Sequence, residues 1–295
     1  MSLKKITLAL VSLSIPLSSQ AIKPSMPLDS KIWIDRSNRL VGSATVKSLG
    51  SLGYNNLILK SHTELDLCNE TAVQSFYSIE QPDYVFMAAA HVGGILANQS
   101  FSADFIYNNL AIQNNVIHGA YLAKVKKLLF LGSCCIYPKN CPQPIKESYL
   151  LTSPLELTNE AYALIRKFIE AKDAGESEVV IWESGTPSRE LLFVDDLAEA
   201  AIWAMNHYEE NEWLNVGSGK DVTIYELATL ISQLVEYKGN IVFDSSKPDG
   251  THRKLLDVSK IQNLGGEEST TSLSDGLAKT IQCYQKKLNN TNQQK

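Results

Sequence analysis

Small polar and thiol side chains follow the apolar run Lys127–Leu131, which predicts a buried β-strand. The residues immediately after it are Gly132, Ser133, Cys134 and Cys135. The carboxyl end of a central parallel strand is where ligands bind in such sheets, and a thiol there can remove a proton from a substrate if its pKa is lowered. The alternative, which this motif alone favours, is that the two cysteines are small packing residues.

A tyrosine at the start of a predicted helix is the second candidate. Tyr162 lies 29 residues after Ser133. A tyrosine can donate a proton to a carbonyl when a lysine one helical turn later lowers its pKa. Here position 166 is Arg166 rather than lysine. The alternative is an ordinary packing tyrosine.

A tryptophan and an arginine bracket a Gly-Thr-Pro turn in the segment Trp182–Glu190. Trp182 suits stacking on a base or a sugar, and Arg189 suits pairing with a diphosphate. A structured surface loop explains the same residues.

The turn from Asp35 to Gly42 follows the first predicted strand, where dinucleotide-binding folds place glycines, but only Gly42 fits that spacing. Taken alone it is an ordinary polar loop.

The elements that position these residues alternate along the chain, which predicts an α/β fold with a Rossmann-like, doubly wound parallel sheet. Predicted strands are Lys31–Asp35, Asn56–Leu59, Tyr84–Ala88, Lys127–Leu131, Val179–Trp182 and Asn240–Phe243. Predicted helices are Leu40–Leu52, Asn69–Glu80, Ala103–Leu122, Tyr162–Lys172, Asp195–Asn206, Ile224–Tyr237 and Ser272–Leu288. We expect a first domain at 26–178, a smaller α/β lobe at 179–285 and a tail at 286–295.

Composition excludes several classes of protein. The 295 residues carry a net charge of −5, which gives no basic field for general nucleic-acid binding. The five cysteines are odd in number and form no CxxC pair, so neither a disulfide framework nor a metal site is expected.

The first 25 residues have the order of a secretory signal peptide, with two lysines, the apolar run Ile6–Leu17 and then Ser19-Gln20-Ala21. Twelve apolar residues are too few to span a bilayer as a helix. The alternative is an upstream extension, because Met26 stands just before the first predicted strand. We therefore leave residues 1–25 out of the predicted fold.

Taken in order, these motifs resemble those of the GDP-L-fucose synthases, bifunctional epimerase/reductases of the extended short-chain dehydrogenase superfamily. The matching segments are residues 40–44, 88–95, 103–107, 132–138, 158–160 with 162, 184–187, 215–217 and 247–257. The run Lys247-Pro248-Asp249-Gly250-Thr251 distinguishes this family from other nucleotide-sugar epimerases.

The resemblance implies inversion of GDP-4-keto-6-deoxy-D-mannose at the two carbons flanking its ketone, followed by hydride transfer from NADPH to give GDP-L-fucose. By position it implies that Ser133 orients the carbonyl, Cys135 is the epimerisation thiol and Tyr162 is the proton donor. The implied GDP-sugar contacts are Lys167, Trp182, Arg189 and Asp249. The implied NADP contacts are Gly42, His62, Ala88, Ala89, Leu131 and Gly132. The family commonly dimerises through helices such as Ala103–Leu122, so a homodimer is expected.

The chain departs from the family in its dinucleotide turn. Arg36 and Arg39 stand where the family has glycines, so NADP binding is expected to be weakened. The family's basic residues for the 2′-phosphate are replaced by Asn38 and His62.

A larger departure follows Tyr162, where the chain runs directly into Leu164-Ile165-Arg166-Lys167-Phe168, a helix that lies later in the family. The catalytic lysine, the next strand, a cofactor loop and the epimerisation histidine therefore have no counterpart. We interpret this as an internal deletion, which predicts unpaired backbone groups and marginal stability.

Three hypotheses follow: an impaired enzyme of this family, a non-catalytic GDP-sugar-binding protein, or a decayed reading frame. Because GDP-sugars and NADPH are cytoplasmic metabolites, we expect a cytoplasmic protein with its functional start near Met26, and secretion is the alternative.

Overall fold

A computed structural model of the chain describes residues 11–14, 26–92, 100–138, 140–152, 163–182, 184–246, 251–266 and 268–292. Its strands are β1 (Val11–Ser14), β2 (Ile32–Ile34), β3 (Leu57–Leu59), β4 (Tyr84–Met87), β5 (Lys127–Phe130), β6 (Glu178–Trp182), β7 (Ser188–Glu190), β8 (Asp221–Thr223), β9 (Asn240–Asp244) and β10 (Arg253–Lys254). Its α-helices are α1 (Leu40–Ser51), α2 (Glu70–Glu80), α3 (Ser102–Leu122), α4 (Ala163–Ala174), α5 (Val194–His207), α6 (Ile224–Val235), α7 (Ser259–Asn263) and α8 (Leu273–Asn292). The predicted α/β class is confirmed, and each predicted strand agrees with an observed one to within one residue at either end.

The described chain divides into two compact units. The first contains residues 1–136, 194–216 and 259–267, and the second contains 137–193, 217–258 and 268–295. This division is not contiguous along the sequence, whereas the predicted boundary lay near residue 178. In the described part of the chain, no helix combines the length and the apolar character needed to cross a bilayer.

The first unit is built on a five-stranded sheet in the order β1-β5-β4-β2-β3. Strands β2 to β5 are parallel, so their carboxyl ends meet at one edge. Helices α2 and α3 cover one face, and the core beneath them includes Trp33, Tyr77, Val85 and Leu128. Local sequence supports these helices, because the Asn69 side chain accepts a hydrogen bond from the Ala72 N–H and caps α2.

The antiparallel strand β1 comes from the segment that the sequence assigned to a leader or an upstream extension. Its four residues pair with β5 in a register that runs from Val11 opposite Phe130 to Ser14 opposite Lys127. All four residues of β5 are buried. Leaving residues 1–25 out of the fold was therefore wrong for β1, which pairs with the edge of β5 that faces away from β4.

The second unit holds a parallel pair, β6 with β9, and a three-stranded sheet in the order β10-β7-β8. Helix α4 packs on α6, and its residues Leu164, Ile165 and Phe168 are buried in the core of this unit. A capping box between Thr223 and Glu226 begins α6. Arg166 thus lies on a helix of the second unit, and its interpretation as part of a helix that lies later in the family stays a prediction.

Candidate functional site

The turn between β2 and α1 requires a glycine at Gly42, because the backbone of Arg36 lies directly against the first turn of the helix. A Cβ atom on Gly42 would lie 2.4 Å from the carbonyl oxygen of Arg36, which is closer than a real contact allows. Arg36 itself has φ of 46°, a left-handed conformation that favours glycine. The turn therefore retains a glycine-type backbone at Arg36 although a side chain is present.

Helix α1 begins without a side-chain cap. Arg39 is its N-cap residue and makes no side-chain capping hydrogen bond, and the first turn carries no acidic residue. The first backbone N–H groups of a helix together with its dipole form a favourable place for an anion. The start of α1 therefore suits a phosphate group.

A cavity of about 550 Å³ opens beside this turn at the carboxyl edge of the sheet. Its lining includes Arg36, Arg39, Lys60 and His62. Of the cofactor residues expected from the sequence, His62 lines this cavity. Three basic side chains and the imidazoles of His62 and His91 give the cavity a lining that attracts anions.

Asp35 is the buried acidic residue of this cavity, which Asp66 lines as an exposed one, and it was not singled out from the sequence. It is 1% exposed, and its Oδ1 atom accepts a 2.6 Å hydrogen bond from the Ala88 N–H. Burial raises the pKa of Asp35 to about 7, although the backbone N–H groups of Ala88 and Ala89 and the charge of Arg36 act to lower it. Within the described residues, Asp35 Oδ2 and Trp33 Nε1 have no hydrogen-bond partner, and both residues line the cavity.

The sequence did hold a signal for Asp35. An acidic residue directly follows the wholly buried strand Ile32–Ile34, at the position where a ligand-binding turn begins. Ala88 and Ala89, which were expected to contact the cofactor, also hold this carboxyl through their backbone N–H groups.

Ser133 and Cys135 are brought together after β5. The Leu131 N–H donates to the Met87 carbonyl and extends the ladder by one step. The chain then leaves the sheet through Gly132 and forms a single 3₁₀ turn at Cys134–Ile136. The Ser133 Oγ atom accepts a 3.2 Å hydrogen bond from the Cys135 N–H. The exposed serine and the half-buried thiol therefore share one turn at the ligand-binding edge of the sheet.

In the second unit, Lys167 and Trp182 lie side by side. Lys167 Nζ donates a 2.9 Å hydrogen bond to the Val180 carbonyl and lies 5.9 Å from the centre of the Trp182 ring. Trp182 is 55% exposed, so its face can receive a flat ligand. Arg189 is used differently, because its Nη1 atom donates to the carbonyls of Ser188 and Thr251. The predicted sites Tyr162 and Asp249 lie outside the described residues.

Among the described residues, no group of three or more His, Cys, Asp and Glu side chains could hold a metal ion. All five cysteines are free thiols. The first unit thus holds a cavity of about 550 Å³ and a separate turn with Ser133 and Cys135.

Comparison with known proteins identifies the family. Residues 37–167 and 163–217 match the model of the NAD dependent epimerase/dehydratase family. A putative GDP-L-fucose synthase 2 of Arabidopsis thaliana is 47% identical over 86% of this chain and 92% of its own length. The GDP-L-fucose synthase of Escherichia coli K12 is 41% identical over 86% of this chain and 96% of its own length. The chain belongs to the GDP-L-fucose synthase family. By family it is an NADP-dependent epimerase/reductase, as the sequence resemblance implied.

Solved structures agree with this fold. A GDP-6-OMe-4-keto-L-xylo-heptose reductase from C. jejuni is 32% identical, with a TM-score of 0.81 over 89% of this chain and 99% of its own. A GDP-L-fucose synthetase from Naegleria fowleri bound to NADP has a TM-score of 0.83 over 93% of this chain and 98% of its own, and at 22% identity it supports the fold alone.

The same comparisons are consistent with a missing segment near residue 163. The two matches to the family model meet at residues 163–167, where the GDP-L-fucose synthase resemblance breaks. The alignment with the Arabidopsis thaliana relative runs over 301 positions but uses only 86% of the 295 residues of this chain. Several tens of aligned positions therefore have no residue here, which supports an internal deletion after Tyr162.

Proposed function

We propose that this chain acts on GDP-4-keto-6-deoxy-D-mannose with NADPH, as the family does, and that its complete two-stage turnover is impaired. The observation that carries the proposal is the shared turn of Ser133 and Cys135 at the carboxyl edge of the parallel sheet. The impairment follows from the deletion, because the lysine and the histidine that the family uses after Tyr162 have no counterpart. Loss of a general acid or base typically costs about 10²–10⁴-fold in rate.

The retained residues support one part of the chemistry. The ketone of the substrate acidifies the neighbouring C–H bonds, so the Cys135 thiolate can take a proton from one face and return it. The Ser133 hydroxyl can donate a hydrogen bond to the carbonyl oxygen as negative charge develops there. NADPH, when bound, supplies the hydride for reduction of the ketone. Proton exchange beside the ketone is therefore the activity that this chain retains.

The cavity beside the β2 turn fits the phosphate groups of the cofactor by charge. Arg36, Arg39 and Lys60 line it, and α1 begins there without a side-chain cap. The arginine side chains occupy places where a glycine turn would let the backbone approach the diphosphate. Weakened NADP binding, with Ala88, Ala89, Leu131 and Gly132 beside the cofactor, stays a prediction.

A non-catalytic GDP-sugar-binding protein is the second candidate. The pair of Lys167 and the exposed Trp182 favours it, because these residues can hold a nucleobase or a sugar without a catalytic acid or base.

We assign the first unit to the cofactor and the second to the GDP-sugar. We propose a cytoplasmic location, where both ligands are found.

Homodimerisation through α3 completes the proposal. Ile106, Tyr107 and Leu110 are more than half exposed on this helix. Apolar side chains grouped on one helix suit a helix-to-helix interface. We expect a dimer by light scattering and a monomer for Tyr107→Asp. Ile79→Asp, a change at an equally exposed residue of α2, serves as the control. A monomeric unmodified chain would count against this interface.

The experiment that tests the function follows two signals on the keto-sugar. In deuterated water without NADPH, the chain should introduce deuterium at a carbon beside the ketone, which mass spectrometry measures. Cys135→Ser should abolish this exchange, whereas Cys134→Ser, on the same turn, should leave it. With NADPH added, slow cofactor oxidation should follow. Sugar-dependent thermal stabilisation without exchange or oxidation would favour the binding protein, and no response would contradict both functions.

A further inference from the structure

Asp35 presents a carboxyl to a cavity whose other features attract anions. Its Oδ1 atom is held by the Ala88 N–H, whereas the buried Oδ2 atom lacks a partner among the residues that the structure describes. The Trp33 indole N–H on the same wall also lacks one there. Two unsatisfied buried polar groups that line one cavity indicate that a ligand or ordered water completes their hydrogen bonds.

The charged and titratable groups around Asp35 come from every neighbouring segment. They are Arg36 and Arg39 of its own turn, Lys60 and His62 after β3, Asp66 and Cys68 before α2, Tyr77 of α2 and His91 after β4. Burial raises the pKa of Tyr77 and of the Cys68 thiol, so these two groups stay neutral near pH 7. Asp35 is consequently the buried acid of the cavity, and Asp66 is an exposed one.

We propose that Asp35 must be protonated before the phosphate groups of the dinucleotide occupy this cavity, so that binding takes up one proton whenever Asp35 is ionised in the free protein. The inference rests on the proposed function, which places NADPH in this cavity. An ionised Asp35 would place a buried negative charge beside the negatively charged phosphates, and water would screen their repulsion only weakly. When a proton from solvent joins the carboxylate, the charge disappears and the new O–H group can donate to a phosphate oxygen.

The burial that raises the pKa of Asp35 to about 7 sets the pH range of this coupling. The neutral fraction of Asp35 is then about nine-tenths at pH 6, about half at pH 7 and about one-tenth at pH 8. Apparent affinity scales with that fraction, because only the neutral form binds. The dissociation constant for NADPH should therefore rise about tenfold for each pH unit above 8.

Calorimetric titration of the full chain with NADPH tests the proposal. At each pH from 6 to 9, binding is measured in two buffers that differ in ionisation enthalpy, which gives the number of protons taken up. We expect uptake of about 0.1 proton at pH 6, 0.5 at pH 7 and 0.9 at pH 8 beyond that of the Asp35→Asn variant. This variant mimics the neutral carboxyl, and subtracting its proton uptake removes the contributions that are common to both proteins.

Asp66→Asn is the matched control, because it removes the same charge from an exposed position in the same cavity. It should keep the proton uptake and the pH dependence of the unmodified chain. Binding with no excess uptake over Asp35→Asn would overturn the inference and leave the proposed function standing. Failure of both forms to bind NADPH at any pH would overturn both. If Asp35→Asn does not fold, uptake below 0.3 proton at pH 8 by the unmodified chain would itself overturn the inference.

Discussion

Replacing Asp35 by asparagine should make the protein more stable at alkaline pH, and the structure sets the size of the effect. Burial raises the pKa of this carboxyl from 3.8 to about 7. Between these values the folded chain holds a proton that the unfolded chain has released. Stability therefore decreases as the pH rises through this range and stays low above pH 7. Three pKa units correspond to about 4 kcal/mol, since one unit is ~1.4 kcal/mol.

The measurement is urea unfolding of the unmodified chain and of Asp35→Asn at pH 5 and pH 8. Asparagine keeps an acceptor for the Ala88 N–H but does not titrate. Contributions from other groups cancel in the difference between the two proteins. From pH 5 to pH 8 that difference should grow by about 3 kcal/mol in favour of the variant, because two of the three units fall in this window. Tryptophan fluorescence, to which the fully buried Trp33 contributes, reports the transition.

One result would refute the reasoning. If the difference in unfolding free energy stays constant to within about 0.5 kcal/mol between the two pH values, Asp35 does not hold its proton in the folded chain. The carboxyl would then be ionised in its buried place, and the protonation step proposed for nucleotide binding would lose its basis.

Three further predictions concern other elements. Gly42→Ala should lower the free energy of unfolding by about 1–3 kcal/mol in thermal unfolding, because the new Cβ atom would clash with the Arg36 carbonyl. Gly50→Ala on the same helix is the control. No atom lies within 4 Å of its new Cβ, so this change should be neutral or stabilising. Arg253 holds the pKa of Asp221 at about 2 through two hydrogen bonds. The stability that this pair adds is therefore present above pH 3.8 and is lost as the pH falls through 2. Asp221→Asn should remove this pH-dependent part of the unfolding free energy in acid unfolding. Its size should be about 1 kcal/mol or less because the Arg253 side chain is partly exposed, so that solvent screens the pair. A chain that starts at Met26 should unfold at a lower temperature and self-associate in light scattering, because β5 keeps β4 but becomes an unpaired edge strand on its other side. Behaviour equal to that of the full chain would contradict the pairing of β1 with β5.

The local pattern of the chain was enough to predict the main elements. Apolar periodicity placed β2 to β6 and the long helices, and the residue types after β5 singled out the turn that holds Ser133 and Cys135. These features depend on neighbouring residues, so a single sequence carries them. The pairing of Lys167 with Trp182 also joins two residues whose roles the resemblance implied.

Two features required the folded chain. Strand β1 pairs with a partner more than a hundred residues away, and an apolar run behind two lysines matches an export signal as well as a strand. Nothing in the sequence around Asp35 marks it as unusual. Its raised pKa arises from burial, and the N–H groups that follow β4 hold its carboxyl in place. Non-local pairing and desolvation are properties of the assembled structure, which residue spacing does not encode.

Because β1 lies near the N-terminus, it is synthesised well before β5, the strand with which it pairs. At ~5–20 residues per second, β1 is synthesised about 6–23 s before the strand that it pairs with. During that interval its apolar run stands free, and any factor that recognises such segments at the ribosome competes with β5 for it. Cleavage after Ala21 would remove β1 and leave β5 to find another strand, including that of a second copy. The rate of translation therefore becomes a determinant of which state the chain reaches.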